Sequence, residues 1–258
     1  MRGIEILVAD FPRQALGVLT KQFQQTKTIL VKQACIAGAA KLGTNVSDQF
    51  LASVAKSQIS KSATSKLSLD LLEALMSRSV QSKSLASLHS QMQQQLVAAA
   101  KSLKIDNDAA MLPFAFSAYG GDKAAGKEIF RTDLRAQCSR CHRIGKKGSK
   151  IGPELTKISE KRDANYLLRS IIDPSADIEK KYFSQSVLTD SGQVIRGVVQ
   201  SENDEVTILA DSNGKEIRIP TDEIEDIVDS KVSLMPSMTT TLTPRQVRDV
   251  VAYLSSLK

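Results

Sequence analysis

Apolar residues recur at helical spacing through the first 119 residues of the chain. Between Pro12 and Gln25, the side chains of Leu16, Leu19 and Phe23 fall on one face of a helix. The same periodicity predicts four further helices, at Thr28 to Leu42, Ser47 to Ile59, Lys66 to Val80 and Ser84 to Leu103. The connections are short and rich in serine, so we expect antiparallel helical hairpins of the HEAT or armadillo kind, although no fixed repeat period is visible.

The pattern changes after this helical region. The segment from Asp106 to Tyr119, followed by Gly120-Gly121, is typical of a linker between domains. Beyond it the sequence predicts helices from Asp122 to Phe130, from Asp163 to Ile172 and from Thr243 to Leu257. Gly126 lies inside the first of these helices, where glycine costs about 1 kcal/mol relative to alanine. A close backbone crossing with another helix would explain that glycine.

Residues 182–229 have the composition of strands. The predicted strands are Ser186 to Thr189, Val194 to Gln200, Val206 to Ala210 and Glu216 to Ile219. Turn sequences separate them, Asp190-Ser191-Gly192 after the first and Asp211-Ser212-Asn213-Gly214 after the third. The acidic run from Asp222 to Asp226 is interpreted as the solvated rim of this insert. The fold class is therefore mainly α with an inserted small antiparallel β-sheet.

The amino-acid composition and the charge distribution exclude some classes of protein. The 258 residues are 41% hydrophobic and 24% charged, and no apolar stretch is long enough for a membrane span. The net charge is +7, with twelve Lys or Arg against four Asp or Glu in residues 123–162, and two against ten in residues 201–229. The basic residues do not alternate with aromatic ones, and no nucleic-acid motif is visible, so we expect no nucleic-acid partner. The basic region either steers an acidic redox partner or is a solvated face.

The strongest chemical signal is the pentapeptide Cys138-Ser139-Arg140-Cys141-His142. Two cysteines at this spacing, followed directly by histidine, are the attachment signature of a c-type haem. A zinc site would need about four donors, and the remaining candidates, Cys35 and His89, lie in the helical half. A redox-active thiol pair would need a preceding strand and a following helix start, which the sequence does not predict. We therefore expect haem at this pentapeptide, with a zinc site and thiol redox chemistry as the alternatives.

Several landmarks in order around this pentapeptide resemble the class I cytochromes c. They are Gly126 and Phe130 in the first helix, Gly152-Pro153-Glu154-Leu155, Leu234-Met235-Pro236, and Tyr253 in the C-terminal helix. The resemblance implies one covalent haem c, with Cys138 and Cys141 as thioether anchors. It implies His142 as the proximal iron ligand, oriented by a hydrogen bond to the carbonyl of Pro153. Met235 is then the distal ligand, with Met238 as the alternative.

A narrower resemblance covers residues 120–258. Their motifs, which include Tyr166 to Ala176 and the β-insert, are similar to the planctomycete/verrucomicrobium-type haem-binding domain. In that family a helical repeat region commonly precedes the cytochrome, and a propeller-type sugar dehydrogenase often lies further upstream. The expected organisation is a helical repeat-like domain at residues 1–119 and a cytochrome c haem-binding domain at 120–258, with the β-insert at about 182–229.

The expected function is single-electron transfer by an electron carrier rather than an enzyme. The expected partner is a periplasmic redox protein, such as a sugar or alcohol dehydrogenase. The alternative function is a helical interaction scaffold whose haem is a sensor or a structural plug. Covalent haem implies a periplasmic or other extracytoplasmic location. The first residues have no signal-peptide layout, because Glu5 and Asp10 interrupt the apolar stretch. We therefore expect a C-terminal piece of a longer exported protein or a misassigned start.

Overall fold

The computed structural model describes residues 2–60, 65–106 and 108–258. Six helices come first: α1 (Arg2–Asp10), α2 (Pro12–Gln25), α3 (Ile29–Leu42), α4 (Asn45–Ile59), α5 (Ser68–Arg78) and α6 (Lys83–Leu103). Helix α2 packs on α3, α3 on α4, and α5 on α6, so consecutive helices contact one another as the sequence predicts. The sequence patterns did not single out α1. The assignment of these helices to HEAT or armadillo repeats stays a prediction.

The end of the segment expected to be a linker, residues 114–118, is buried, whereas Asp106, Asp108, Ala109 and Ala110 are exposed. The segment includes a short 3₁₀ turn, Leu112–Phe114, and the side chains of Phe114, Phe116 and Ser117 are at most 5% exposed. The hydroxyl of Ser117 donates a hydrogen bond to the carbonyl of Pro244, 2.9 Å away. One hydrophobic core therefore runs through this segment from the helical half into the second half of the chain. The division at residue 119 stays a prediction.

Four helices form the frame of the second half: α7 (Lys123–Thr132), α8 (Cys138–Cys141), α9 (Ala164–Ile172) and α10 (Pro244–Leu254). Their starts follow from local chemistry. The carboxylate of Asp122 accepts hydrogen bonds from two backbone N–H groups of the first turn of α7, and that of Asp163 accepts one in α9. Thr243 and Gln246 form a reciprocal capping box at α10.

Helices α7 and α10 cross at Gly126. A Cβ atom placed on Gly126 would lie 1.8 Å from the backbone oxygen of Asp249 and 2.8 Å from the nitrogen of Val250. Only glycine permits this approach, so the crossing accounts for the residue that sequence analysis singled out. One turn further on, the rings of Phe130 and Tyr253 pack with their centroids 5.8 Å apart.

Five antiparallel strands make up the insert: β1 (Ser184–Thr189), β2 (Val194–Glu202), β3 (Val206–Ala210), β4 (Glu216–Pro220) and β5 (Ile224–Ser230). Their order across the sheet is β4-β3-β2-β1-β5. Val187, Leu209 and Ile219 form a small core on one face. The chain is thus mainly helical with an inserted antiparallel sheet, as the sequence predicts.

The acidic residues Asp222, Glu223, Glu225 and Asp226 are exposed at the edge of the sheet, which agrees with the predicted solvated rim. The sequence did not predict that this run enters a fifth strand. Residues Ile224 to Asp226 belong to β5, which pairs along β1. The register shifts between Leu188 and Thr189, so Glu225 is an extra residue on the β5 side. This bulge allows Ile224 and Ile227, three positions apart, to pack on the same small core. The alternation expected of a strand is therefore absent from the sequence.

Helix α10 also carries the polar connection to the helical half. Asp70 of α5 has a side chain that is 0% exposed, and its carboxylate lies 2.7 Å from Nη1 of Arg248 and 2.9 Å from Nη1 of Arg245. Arg245 additionally contacts Glu73 at 2.6 Å, in a pair that is more than one third exposed. The buried charge of Asp70 is thus compensated by two cations from α10.

Replacing Gly126 by alanine should destabilise the protein. The added Cβ would force α7 and α10 apart, and overpacking of this kind costs about 1–3 kcal/mol, which exceeds the gain in helix propensity. Urea unfolding followed by circular dichroism measures the change. Gly17→Ala in α2 is the matched control, because no atom lies within 4 Å of its added Cβ. The control should be stabilised by up to about 1 kcal/mol. Equal effects of the two substitutions would contradict the tight crossing.

Replacing Asp70 by asparagine should lower the free energy of unfolding by about 3 kcal/mol. The substitution removes the nearest ionic partner of the buried Arg248 guanidinium, whose other carboxylate contact, with Asp249, is 4.0 Å long, and breaking a buried pair is costly. Glu73→Gln is the control, since its pair with Arg245 is exposed and should contribute under about 1 kcal/mol. Thermal and urea unfolding of both variants test this. A loss in Asp70→Asn no larger than that of the control would argue against the buried pair.

Candidate haem site

The pentapeptide is presented by a turn that Asp133 organises. The carboxylate of Asp133 accepts hydrogen bonds from the backbone N–H groups of Arg135 at 2.8 Å and Ala136 at 3.0 Å. The side chain of Arg135 also donates to it, 3.1 Å away. Gln137 then adopts a left-handed conformation, with φ of 46°, immediately before α8. The two thiols are three positions apart on this single helical turn, so they lie on the same side of it.

His142 follows α8 and is held by the next loop. Its Nδ1 lies 3.0 Å from the carbonyl oxygen of Pro153. A carbonyl can only accept, so Nδ1 carries the proton in this hydrogen bond. Burial lowers the pKa of the imidazole, although the bond to Pro153 opposes that shift. The ring is therefore neutral, and Nε2 has a lone pair available for a metal.

Gly152 is in contact with the same imidazole. A Cβ atom on Gly152 would lie 3.0 Å from Cε1 and 3.1 Å from Nδ1 of His142. The N–H of Gly152 donates a hydrogen bond to the carbonyl of Cys141, 2.8 Å away. The Gly152-Pro153 pair thus fixes the ring by packing and by hydrogen bonding.

Cys138 and Cys141 carry free thiols. Burial raises the pKa of Cys138 to about 11, and burial likewise raises the pKa of Cys141. Redox-active cysteine pairs depend on a lowered thiol pKa, because the thiolate is the nucleophile. The site therefore lacks the electrostatics of a thiol-disulfide exchange centre.

One cavity of about 310 Å³ adjoins the pentapeptide. Cys138, Cys141 and His142 line it, together with Pro153 and both candidate methionines, Met235 and Met238. Its other walls are largely apolar and come from α7, α9, α10 and the 155–158 segment: Phe130, Leu155, Ile158, Leu167, Ile171, Val250 and Leu254. Two thiols, one imidazole lone pair, thioether sulphurs and apolar walls are the features that a covalently attached haem requires, so the residues fit the group.

The loop that carries the methionines is tied to the end of α9. The hydroxyl of Ser237 donates to the carbonyl of Ile172, 2.6 Å away, and the N–H of Ser233 donates to the hydroxyl of Ser175 at 3.1 Å. Met238 is 3% exposed and packs in the main core, whereas Met235 is half-buried. Both methionines are thus held beside the cavity, in different surroundings.

Sequence reasoning missed two parts of the cavity. Arg135 and Arg162 lie at its edge, and the guanidinium of Arg162 stacks over the ring of Tyr166 at 4.2 Å. The β-insert also contributes, through Val198 of β2 and Ser212 of the β3–β4 turn. The basic character of the region was visible in the sequence, but no local signal indicated that the insert reaches the cavity.

The structure does not assemble the donors that the zinc alternative requires. Within residues 2–60, 65–106 and 108–258, no group of three or more His, Cys, Asp or Glu side chains could hold a metal ion. Cys35 is buried in α3, and His89 lies in α6; neither lines the cavity. In the same described ranges, no helix is both long and apolar enough to cross a membrane.

Comparison with known proteins supports the haem interpretation. Residues 123–187 match the family model described as Cytochrome c. The match supports a class I cytochrome c domain in this part of the chain, and such a domain binds haem c covalently, with its iron. The matched range contains the pentapeptide and Pro153 but ends in β1, before Met235 and α10. A search of curated proteins gave no significant match.

Asp133→Ala should destabilise the turn before Cys138 by about 1 kcal/mol, because two backbone donors lose their acceptor. The hydrogen bond from Arg135, with the two backbone bonds, lowers the pKa of Asp133 from 3.8 to about 2. The carboxylate therefore stabilises the fold above pH 4, and this contribution disappears as the pH falls towards 2. Urea unfolding of the parent and the variant between pH 2 and pH 6 measures the difference. A difference that stays constant over this range would contradict the assigned role of Asp133.

Proposed function

We propose that residues 120–258 form a mono-haem c-type cytochrome that carries single electrons, with its haem attached to Cys138 and Cys141. The observation that carries the proposal is the hydrogen bond between Nδ1 of His142 and the carbonyl of Pro153. It leaves Nε2 of a neutral, half-buried imidazole available to bind iron, beside two thiols on one helical turn. The bound haem would supply a one-electron ferric/ferrous couple.

The chain's own residues would hold and insulate that group. Cys138 and Cys141 would anchor it through thioether bonds, while Gly152 and Pro153 keep the imidazole of His142 in one orientation. Phe130, Val250 and Leu254 would exclude water from its faces. A rigid, largely apolar enclosure keeps the surroundings nearly unchanged during electron transfer, and that suits a carrier.

Met235 is the proposed distal ligand. It lies on the cavity in the Leu234-Met235-Pro236 sequence, and its loop is fixed to α9 by Ser233 and Ser237. Met238 also lines the cavity, but its side chain packs in the main core. Ligation of the haem iron by His142 and a methionine would favour the ferrous state. The proposed role is accordingly that of an electron carrier rather than an enzyme.

The proposed partner is another extracytoplasmic redox protein. The twelve Lys or Arg in residues 123–162 surround the pentapeptide in the sequence, and a basic surface of this kind accelerates association with an acidic partner. The similarity of residues 120–258 to the planctomycete/verrucomicrobium-type haem-binding domain makes a periplasmic sugar or alcohol dehydrogenase the specific proposal. Residues 1–119 would then act as a helical docking scaffold.

Haem attachment is tested by periplasmic expression together with a cytochrome c maturation system. The parent should keep its haem stain on a denaturing gel after boiling, because thioether bonds survive detergent. The Cys138→Ser/Cys141→Ser variant should lose the stain, while Cys35→Ser, which alters the buried cysteine of α3, should keep it. Loss of the stain from the boiled parent would refute covalent attachment.

The distal ligand is tested with leucine substitutions, which conserve volume and avoid a core cavity at Met238. Met235→Leu should abolish the thioether-to-iron charge-transfer band in the ferric spectrum and lower the reduction potential. Met238→Leu should leave the band in place. The reverse result would assign Met238 instead. Absence of the band from the parent would favour the alternative, a scaffold whose haem is a sensor or a structural plug.

A further inference from the structure

The β-insert contains two turns of nearly identical chemistry in different surroundings. The β1–β2 turn is Asp190-Ser191-Gly192, and the β3–β4 turn is Asp211-Ser212-Asn213-Gly214. Both glycines have positive φ, 78° at Gly192 and 76° at Gly214. A Cβ atom on Gly192 would meet nothing within 4 Å. On Gly214 it would lie 3.1 Å from Cγ of Arg140 and 3.4 Å from Cδ1 of Ile151.

The β3–β4 turn therefore packs on the pentapeptide itself. Arg140 stands between the two cysteines, and both Arg140 and Ile151 line the cavity. Ser212 is exposed and also lines the cavity. Beneath the turn, Val198 pairs with Ala210 in register, and both are at most 5% exposed. This corner of the sheet closes one side of the cavity.

The turn also brings a fixed negative charge to that side. The carboxylate of Asp211 accepts hydrogen bonds from the N–H groups of Asn213 and Lys215, both at 2.8 Å. These bonds hold the pKa of Asp211 below its ordinary value, so the group is ionised at neutral pH. Ser212, which directly follows Asp211, lines the cavity, so this charge lies beside the site.

We propose that the β3–β4 turn, Asp211 to Gly214, is one wall of the haem cavity and that its charge sets part of the reduction potential. The proposal rests on the proposed attachment of haem at Cys138 and Cys141. Oxidised haem carries one more positive charge than reduced haem, so a nearby carboxylate favours the oxidised state and lowers the potential. The insert would then be a tuning element of the redox centre.

A charge series at Ser212 tests the proposal, with Ser191 as the matched position in the other turn. Spectroelectrochemical titration at low ionic strength, where screening is weak, gives the midpoint potential of each variant. Ser212→Lys should raise the potential and Ser212→Glu should lower it. Ser191→Lys and Ser191→Glu should shift it much less, because the β1–β2 turn does not line the cavity.

Asp211→Asn provides a second test that preserves the turn. The asparagine carbonyl can still accept the two backbone hydrogen bonds, whereas the charge is removed. The potential should rise, in the same direction as for Ser212→Lys, and Asp190→Asn should leave it nearly unchanged. Added salt should shrink the shifts at both turns.

The outcomes separate this proposal from the one on which it rests. A parent without covalent haem stain overturns both. A stained parent whose potential responds equally to the Ser212 and Ser191 substitutions, and to Asp211→Asn and Asp190→Asn, overturns only the role of the turn. Shifts of the predicted sign that are confined to the β3–β4 turn establish it as a wall of the cavity.

Discussion

The crossing of α7 and α10 at Gly126 is the constraint on which the rest of the structure depends. The backbone of Asp249 and Val250 occupies the space that any side chain at position 126 would need. This approach fixes where Phe130 and Tyr253 meet, and it places Val250 and Leu254 on the cavity. The pentapeptide begins six residues after α7 ends, so the crossing also determines where the thiols lie relative to the opposite wall.

Helix α10 has two occupied faces. One contributes Val250 and Leu254 to the cavity, and the other presents Arg245 and Arg248 to Asp70 of the helical half. Replacing Arg245 or Arg248 would therefore affect both the buried carboxylate of Asp70 and the helix that forms one wall of the cavity. The helical half is packed against the site through a continuous core, and Ser117 adds a hydrogen bond to Pro244, the first residue of α10.

Sequence reasoning succeeded where short-range chemistry decides the structure. The caps of α7 and α10, the crossing glycine and the proximity of His142 to Pro153 depend on a few residues whose geometry leaves little choice. It failed at β5, because a bulge at Glu225 removes the alternation that marks a strand. It predicted both turns of the insert but could not distinguish their roles, because Asp-Ser-Gly and Asp-Ser-Asn-Gly have the same local character. Only long-range packing makes one of them part of the cavity.

The order of the elements along the chain determines when the cavity can form during folding. Asp122 and Asp249, joined by a hydrogen bond at the helix crossing, are 127 positions apart. Forming this contact is slow, because the chain between the two residues must lose conformational entropy before the contact can stabilise the fold. During synthesis Cys138, Cys141 and His142 emerge well before Val250 and Leu254, so the attachment segment spends an interval without its far wall. The order of these residues in the chain thus leaves the two thiols accessible to a haem-attachment machinery until folding closes the cavity.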